Sequence, residues 1–208
     1  MGVKDQTVEA YLASVAAGTP TPGGGSVSAL VGALAVALTR MVGGLAVGKK
    51  GYEGSQEPLR GLEERAESVQ RRLVALADED SAAYDRVVEA MHLPKTTDAE
   101  RAARVAALQA AYRHATEVPL ETVERCVEAL ELARQAAEHG NRGASTYCGV
   151  AVLLAEASIR GASLNVRVNL ASLKDEAYRA LAEARLEAEL AQAQTIGHEA
   201  MALVEGRI

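Results

Sequence analysis

The sequence contains no phenylalanine and no tryptophan, and only 3% of its 208 residues are aromatic. Strand-rich domains usually carry more aromatic and β-branched residues than this. The hydrophobic residues, 49% of the chain, are largely alanine, leucine and valine, which is typical of helices that pack closely through small side chains. We therefore expect an all-α protein, and the length suits a single domain.

Cysteine is also scarce, because Cys126 and Cys148 are the only two and they form no CxxC pair. This excludes a disulfide framework and indicates a reducing compartment. The four histidines are scattered along the chain, so no cluster with metal-ligand spacing predicts a metal site. A GxSxG nucleophile motif is absent as well.

The chain has no excess of positive charge, since its formal net charge is −6. Nucleic acid is therefore not an expected partner. The N-terminal segment lacks the apolar region of a signal peptide. Residues 27–48 are long enough to span a membrane, but they include Thr39 and Arg40 and contain more Gly, Ala and Val than Leu. We interpret them as a helix buried in a bundle or an oligomer, and we expect a cytoplasmic protein without a membrane partner.

Hydrophobic spacing predicts helices at about residues 7–17, 27–48, 59–91, 97–116, 120–140, 145–170 and 172–204. Ser26 is the expected N-cap of the second helix, and Thr97 with Glu100 forms a capping box. Pro119 is expected to separate two helices. No linker and no repeat divides the chain, so we predict one domain over residues 1–208.

Two of these helices, at residues 27–48 and 145–170, are highly apolar. One small set of amphipathic helices would cover them poorly. We therefore predict a helical bundle with two central apolar helices, whose remaining surface a second subunit covers in a two-fold dimer.

The segment TPTPGGGSVSALVGAL places three glycines, Gly23 to Gly25, just before the first apolar helix. Glycine loses much conformational entropy on folding, so a triplet needs a reason. It is either a flexible helix entrance or a site where backbone N–H groups and the helix dipole face a ligand. It matches neither a Walker loop nor GxGxxG.

An acid interrupts the apolar positions of the third helix. The position expected between Leu76 and Ala83 in that series is Asp80. Buried acids are rare unless they are paired or functional, and burial raises their pKa toward the range useful for proton transfer. Asp80 is therefore either a proton-transfer group or a member of a buried salt bridge or cap.

Other polar residues have two readings each. Lys49 and Lys50 either stabilise a helix C-terminus or bind an acidic ligand. Asn165 and Asn169 share one face of an apolar helix, where buried amides either join helices or bind a heterocycle. On the same helix, Glu156 and Arg160 are spaced for an ion pair.

Six motifs occur in order along the chain: TPTPGGGSVSAL, VGKKGY, LADEDSAAY, EAMHLPKTT, VPLE and GASLNVRVNLASLKDEA. Together they resemble the cyclodeaminase/cyclohydrolase family of folate enzymes over residues 7–200. The resemblance implies an all-helical homodimer with its pocket near the subunit interface. It also implies chemistry on a tetrahydrofolate derivative, polyglutamylated or not, with no metal and no further cofactor. Formiminotetrahydrofolate cyclodeaminase and methenyltetrahydrofolate cyclohydrolase both remain open.

The resemblance assigns roles to the residues above. Asp80 and Lys49 become the candidate catalytic residues, with Asp80 as general acid/base or cation stabiliser. The glycine motif and the asparagines could bind the pterin, and the lysines could hold the anionic glutamate tail. The candidate substrate-binding residues are Gly23, Gly24, Gly25, Ser26, Lys50, Lys95, Asn165 and Asn169.

One departure concerns the stretch GNRGASTYCGV, where Thr146 and Tyr147 stand where the family often has Ser and Asp. Loss of a carboxylate at a charged-substrate site would change specificity, relocate the acid or abolish activity. The alternative reading is therefore a catalytically degenerate folate-binding or structural helical dimer.

Overall fold

Hydrophobic spacing alone accounts for most of the observed helices. A computed structural model describes residues 2–208 and contains six α-helices. They are α1 (Val8–Val15), α2 (Gly24–Gly44), α3 (Gln56–His92), α4 (Asp98–His139), α5 (Ser145–Leu170) and α6 (Glu176–Glu205). Within residues 2–208 there is no β-strand, and the all-α prediction is confirmed.

Two helix starts differ from the prediction. α2 begins at Gly24 with Gly23 as its N-cap, so Ser26 is the third helical residue and the prediction that it caps the helix was wrong. α6 begins at Glu176 rather than near residue 172, because the side chain of Asp175 accepts a hydrogen bond from Tyr178 N and caps the helix there. The capping box of Thr97 and Glu100 is confirmed at the start of α4.

The prediction that Pro119 separates two helices was wrong, because α4 runs through it as one helix of 42 residues. Proline has no N–H group, so Pro119 cannot donate to the carbonyl oxygen of Ala115 one turn earlier. That oxygen instead accepts from the side-chain Nδ2 of Asn169 on α5, at 2.5 Å. A neighbouring helix thus satisfies the carbonyl group that the proline leaves free.

Helices α2 and α5 lie side by side over α4. α2 runs antiparallel to α3, since Gly43 approaches Leu59 and Leu62 while Gly25 approaches Asp80. Near the middle of α2, a Cβ atom added to Gly32 would lie 2.5 Å from Cys126 Sγ of α4. Glycine at this position lets the helices approach closely.

The amphipathic pattern of α3 is confirmed with one exception. Met91, the last predicted member, is 45% exposed, because it lies beside the end of the helix. Asp80 is half-buried in this series. The buried members are Leu59, Leu62, Ala66, Val69, Leu73, Leu76, Ala83 and Val87.

Helices α2 and α5 carry exposed apolar side chains, and we call the surface that these side chains form the outer α2–α5 face. Both helices are long and apolar enough to cross a membrane by length and composition, but half of each apolar stretch is buried inside the protein. This is what the core helices of a bundle show. The face includes Leu34, Met41, Leu45, Tyr147, Val150, Leu164 and Val168.

The contact between Asn169 and Ala115 can be tested by its dependence on Pro119. We expect Asn169→Ala to cost about 1–3 kcal/mol of unfolding free energy, because a carbonyl group is left unsatisfied. In a Pro119→Ala background the new N–H group supplies that bond, so the same change should cost much less. Urea unfolding of the four proteins measures the difference, and equal costs in both backgrounds would contradict this account.

Candidate functional site

The start of α2 presents backbone N–H groups that have no partner within the helix. One of them, the amide of Ser26, donates to Oδ2 of Asp80 on α3 at 2.9 Å. The two residues are 54 positions apart in the chain. Asp80 therefore caps α2 from a neighbouring helix, where the helix dipole favours a negative charge.

One of the three glycines at this point, Gly25, is needed for space. Gly23, Gly24 and Gly25 all have ordinary backbone conformations, since none is among the residues with positive φ. A Cβ atom on Gly25 would overlap the Asp80 carboxylate, and one on Gly24 would lie 3.6 Å from Asn165 Nδ2 of α5. The backbone at the start of α2 thus lies between the Asp80 carboxylate and the Asn165 amide.

We call residues 24–26, Asp80 and Asn165 the acid–glycine site. Nδ2 of Asn165 donates to Gly161 O in its own helix at 3.0 Å. Within residues 2–208 its Oδ1 has no hydrogen-bond donor. The N–H groups of Gly24 and Gly25 are likewise the free donors of the first helical turn.

Burial raises the pKa of Asp80 above that of an ordinary aspartic acid, and the hydrogen bond from Ser26 N opposes this shift. No cation contributes to the pKa of Asp80, so the alternative of a buried salt bridge does not hold, whereas that of a cap does. A carboxylate that is half-buried and has no cationic partner can accept a proton or bind a cationic ligand.

Two residues beside the site were not predicted as functional. The hydroxyl of Tyr11 on α1 lies 3.0 Å from Ser26 Oγ, and Oδ1 of Asp78 accepts from Val3 N at 2.8 Å. Together with Ser26 they line a cavity of about 470 Å³ beneath the N-terminal segment. Tyr11 lies within the first predicted helix, and nothing in the sequence around Tyr11 or Asp78 distinguishes them.

The predicted lysines lie elsewhere in the same chain. Lys49 and Lys50 are exposed beyond the other end of α2, which at 1.5 Å per residue is about 30 Å from its start. Lys95 is exposed in the connection between α3 and α4. Within one chain, the structure does not bring these lysines to Asp80.

The end of α2 near Lys49 forms a second cluster of polar residues. The Lys49 ammonium group lies 5.8 Å from the centre of the Tyr52 ring, and Tyr52 Oη accepts from Arg142 N at 3.0 Å. Tyr147, in the first turn of α5, is 48% exposed. The departure from the family pattern therefore lies at this end and not beside Asp80.

Two further polar predictions concern α5. Nδ2 of Asn169 donates to Ala115 O, so this amide joins α5 to α4, which is one of its two predicted roles. The ion pair predicted between Glu156 and Arg160 is not formed; Glu156 instead lies against Gly197 of α6. Glycine at that position leaves room for the carboxylate.

Metal-ligating side chains are not gathered at any point in residues 2–208, where no group of three or more His, Cys, Asp or Glu residues could hold a metal ion. The acid–glycine site offers one carboxylate, one amide and backbone N–H groups. These groups suit an organic ligand with hydrogen-bonding edges and positive charge.

Comparison with known proteins gives a consistent result. Residues 7–188 match the family model described as formiminotransferase-cyclodeaminase. The chain is 39% identical over 204 residues to methenyltetrahydrofolate cyclohydrolase of Methylorubrum extorquens, covering 98% of both chains. It is 31% identical over 203 residues to formimidoyltransferase-cyclodeaminase of Mus musculus, but it spans only 38% of that protein.

A solved structure has the same fold. The chain superposes on formiminotetrahydrofolate cyclodeaminase of Thermotoga maritima with a TM-score of 0.89 and 29% identity, covering 98% of each chain.

Replacement of Gly25 tests whether this position must lack a side chain. We expect Gly25→Ala to destabilise the protein by about 1–3 kcal/mol, because the methyl group displaces the Asp80 carboxylate. Gly44→Ala is the matched control, since an added Cβ there meets nothing within 4 Å. Thermal unfolding of both variants gives the comparison, and a Gly25→Ala protein as stable as the control would show that the space is not needed.

Proposed function

Because the chain belongs to the formiminotransferase-cyclodeaminase family, we propose that it is a folate enzyme that acts on the carbon between N5 and N10 of tetrahydrofolate. The leading reaction is hydrolysis of 5,10-methenyltetrahydrofolate to 10-formyltetrahydrofolate. Methenyltetrahydrofolate cyclohydrolase of Methylorubrum extorquens matches this chain over 98% of both lengths. Its identity of 39% is higher than the 31% of the Mus musculus formimidoyltransferase-cyclodeaminase. The observation that carries the proposal is Asp80, a half-buried carboxylate without a cationic partner beside free helix N–H groups.

The hydrolysis needs a base and a group that stabilises positive charge. The substrate carries an amidinium-like cation across N5, the methenyl carbon and N10, and a carboxylate beside it lowers the energy of that charge. Ionised Asp80 takes a proton from the attacking water while the oxygen bonds to the methenyl carbon. Asp80 then returns this proton to N5 as the bond between N5 and the tetrahedral carbon breaks. The hydroxyl group on that carbon loses its own proton to solvent and becomes the C=O of the formyl group on N10, so one proton is released overall.

Cyclodeamination is the second candidate, supported by the solved structure with the same fold. In that reaction N10 attacks the formimino carbon on N5, and the C–N bond to the departing nitrogen breaks. The leaving group needs a proton to depart as ammonia, so Asp80 would act in its protonated form. The raised pKa of Asp80 suits this role as well.

The remaining site groups act on the pterin and the tail. Asn165 Oδ1 and the N–H groups of Gly24 and Gly25 provide an acceptor and two donors for a heterocycle. Because Ser26 N–H is already taken by Asp80, the α2 terminus favours a neutral pterin edge over a second carboxylate. The substrate supplies the reacting atoms, so we propose no metal and no additional cofactor. We also propose that the protein is cytoplasmic.

A homodimer across the outer α2–α5 face would complete the site. With the two-fold axis perpendicular to α2, the two copies of this helix run antiparallel, so the end of one lies beside the start of the other. The partner subunit's Lys49 and Lys50 would then approach Asp80 and hold the glutamate tail. This arrangement would also cover the exposed Leu34 and Met41.

The first test of the proposal is turnover by wild type and Asp80→Asn. We expect wild type to remove the absorbance of 5,10-methenyltetrahydrofolate faster than buffer does, and the variant to lose about 10²- to 10⁴-fold in kcat. Glu89→Gln, on the same helix, is the control. Wild type that binds 5-formyltetrahydrofolate but converts neither methenyl nor formimino substrate would support the degenerate alternative and exclude both reactions.

The pH profile distinguishes the two reactions. Hydrolysis requires ionised Asp80, so kcat/KM falls as pH drops through its raised pKa; deamination with protonated Asp80 as donor falls as pH rises through it. Protein stability gives a control that does not depend on turnover. Because folding raises the pKa of Asp80, the free energy of unfolding decreases as pH rises through the pKa of Asp80 in the folded protein. Asp80→Asn lacks this loss and should unfold at the same or a higher temperature at neutral pH.

Complementation tests the shared site. We expect Asp80→Asn and Lys49→Ala/Lys50→Ala proteins each to have low kcat/KM alone. After subunit exchange, half of the dimers would be mixed, and each mixed dimer would contain one intact site, so activity should recover to about a quarter of wild type. Activity that stays at the mean of the two variants would contradict a site built from both subunits.

A further inference from the structure

Helix α1 is held to the rest of the protein through one side chain. Its apolar residues follow a helical pattern, yet Val8 is 78% exposed and Leu12 is 62% exposed. Tyr11, only 7% exposed, is the sole buried residue of this helix. The contact made by Tyr11 therefore determines where α1 lies.

Tyr11 contacts the residue that holds Asp80. Its hydroxyl lies 3.0 Å from Oγ of Ser26, which is fully buried. The backbone amide of the same serine donates to Asp80 Oδ2 at 2.9 Å. Ser26 is thus fixed on one side by α1 through its side chain and on the other by α3 through its amide.

We propose that Tyr11 is a positioning residue, whose hydroxyl holds Ser26 so that the Ser26 amide stays directed at Asp80. A helix terminus frays easily, and the first residues of α2 are glycines that add no side-chain contacts of their own. The bond from Tyr11 is a second restraint on this turn, in addition to the bond between the Ser26 amide and Asp80. The inference rests on the proposed function for its kinetic consequences but not for the contact itself.

Helix α1 also forms part of a cavity beside this turn. The cavity of about 470 Å³ beneath the N-terminal segment reaches both Tyr11 and Ser26. Release of α1 would remove the Tyr11 side of that cavity and weaken the restraint on Ser26. The other helices contribute uncharged neighbours, Ser26 from α2 and Asn165 from α5. The titratable groups around the contact are a phenol from α1 and carboxyls from α3: Tyr11, Asp78, Asp80 and Asp85.

The test is Tyr11→Phe, which removes the hydroxyl and keeps the ring, with Tyr112→Phe on α4 as the control. In the hydrolysis assay we expect Tyr11→Phe to lower kcat about three- to tenfold, the range for loss of one hydrogen bond, with KM little changed. A looser Ser26 amide stabilises ionised Asp80 less, so the acidic limb of the pH profile should move to higher pH. The control should match wild type in both.

A second variant and a second readout keep the inference testable. Ser26→Ala removes the hydroxyl but retains the amide, so it should resemble Tyr11→Phe, and the double variant should be no worse than either single one. Hydrogen exchange at residues 24–26 should become faster in both variants, whether or not the protein turns over substrate.

Multiplicative losses in the double variant, or unchanged exchange and an unchanged acidic limb in Tyr11→Phe, would overturn the inference. If wild type converts no folate substrate, the proposed function fails, while the exchange comparison still decides the role of Tyr11.

Discussion

The amide of Ser26 and the carboxylate of Asp80 join the start of α2 to the middle of α3. An aspartate at this point of an apolar series needs a donor, and a helix start needs an acceptor. Each therefore satisfies the requirement of the other. The contact also explains Gly25, which must lack a side chain for the carboxylate to reach Ser26. The acid, the glycines and the helix terminus are one unit.

A comparison with Asn169 shows why only some buried polar groups remain available for chemistry. The amide of Asn169 is occupied by the carbonyl group that Pro119 leaves free, and it is a structural contact between α4 and α5. Asp80 has one donor and no cation, so its carboxylate keeps the capacity to bind a proton or a cationic substrate. Asn169 lies on an apolar helix and Asp80 in the apolar series of an amphipathic one, and the partners of the two side chains decide their roles.

The sequence predicted the helical class, the position of α5 and the interruption at Asp80, because these follow from composition and spacing. It failed at Pro119, since the donor that lets α4 continue comes from Asn169, which is distant in the chain. It missed Tyr11 for the same reason: its role depends on Ser26, which spacing within α1 cannot reveal. Lys49 and Lys50 were predicted as catalytic and substrate-binding residues, but the length of α2 separates them from Asp80 within one chain. The sequence placed the lysines after this helix, but it could not show that Asp80 of α3 approaches the opposite end.

A direct hydrogen bond between the Ser26 amide and an ionised Asp80 joins α2 to α3. The most direct measurement is the chemical shift of the Ser26 amide proton in NMR spectra as a function of pH. We predict that this proton lies downfield at neutral pH and moves upfield on acidification, with a midpoint above the pKa of an ordinary aspartic acid. A shift that does not change with pH, or a midpoint at the ordinary value, would contradict the account.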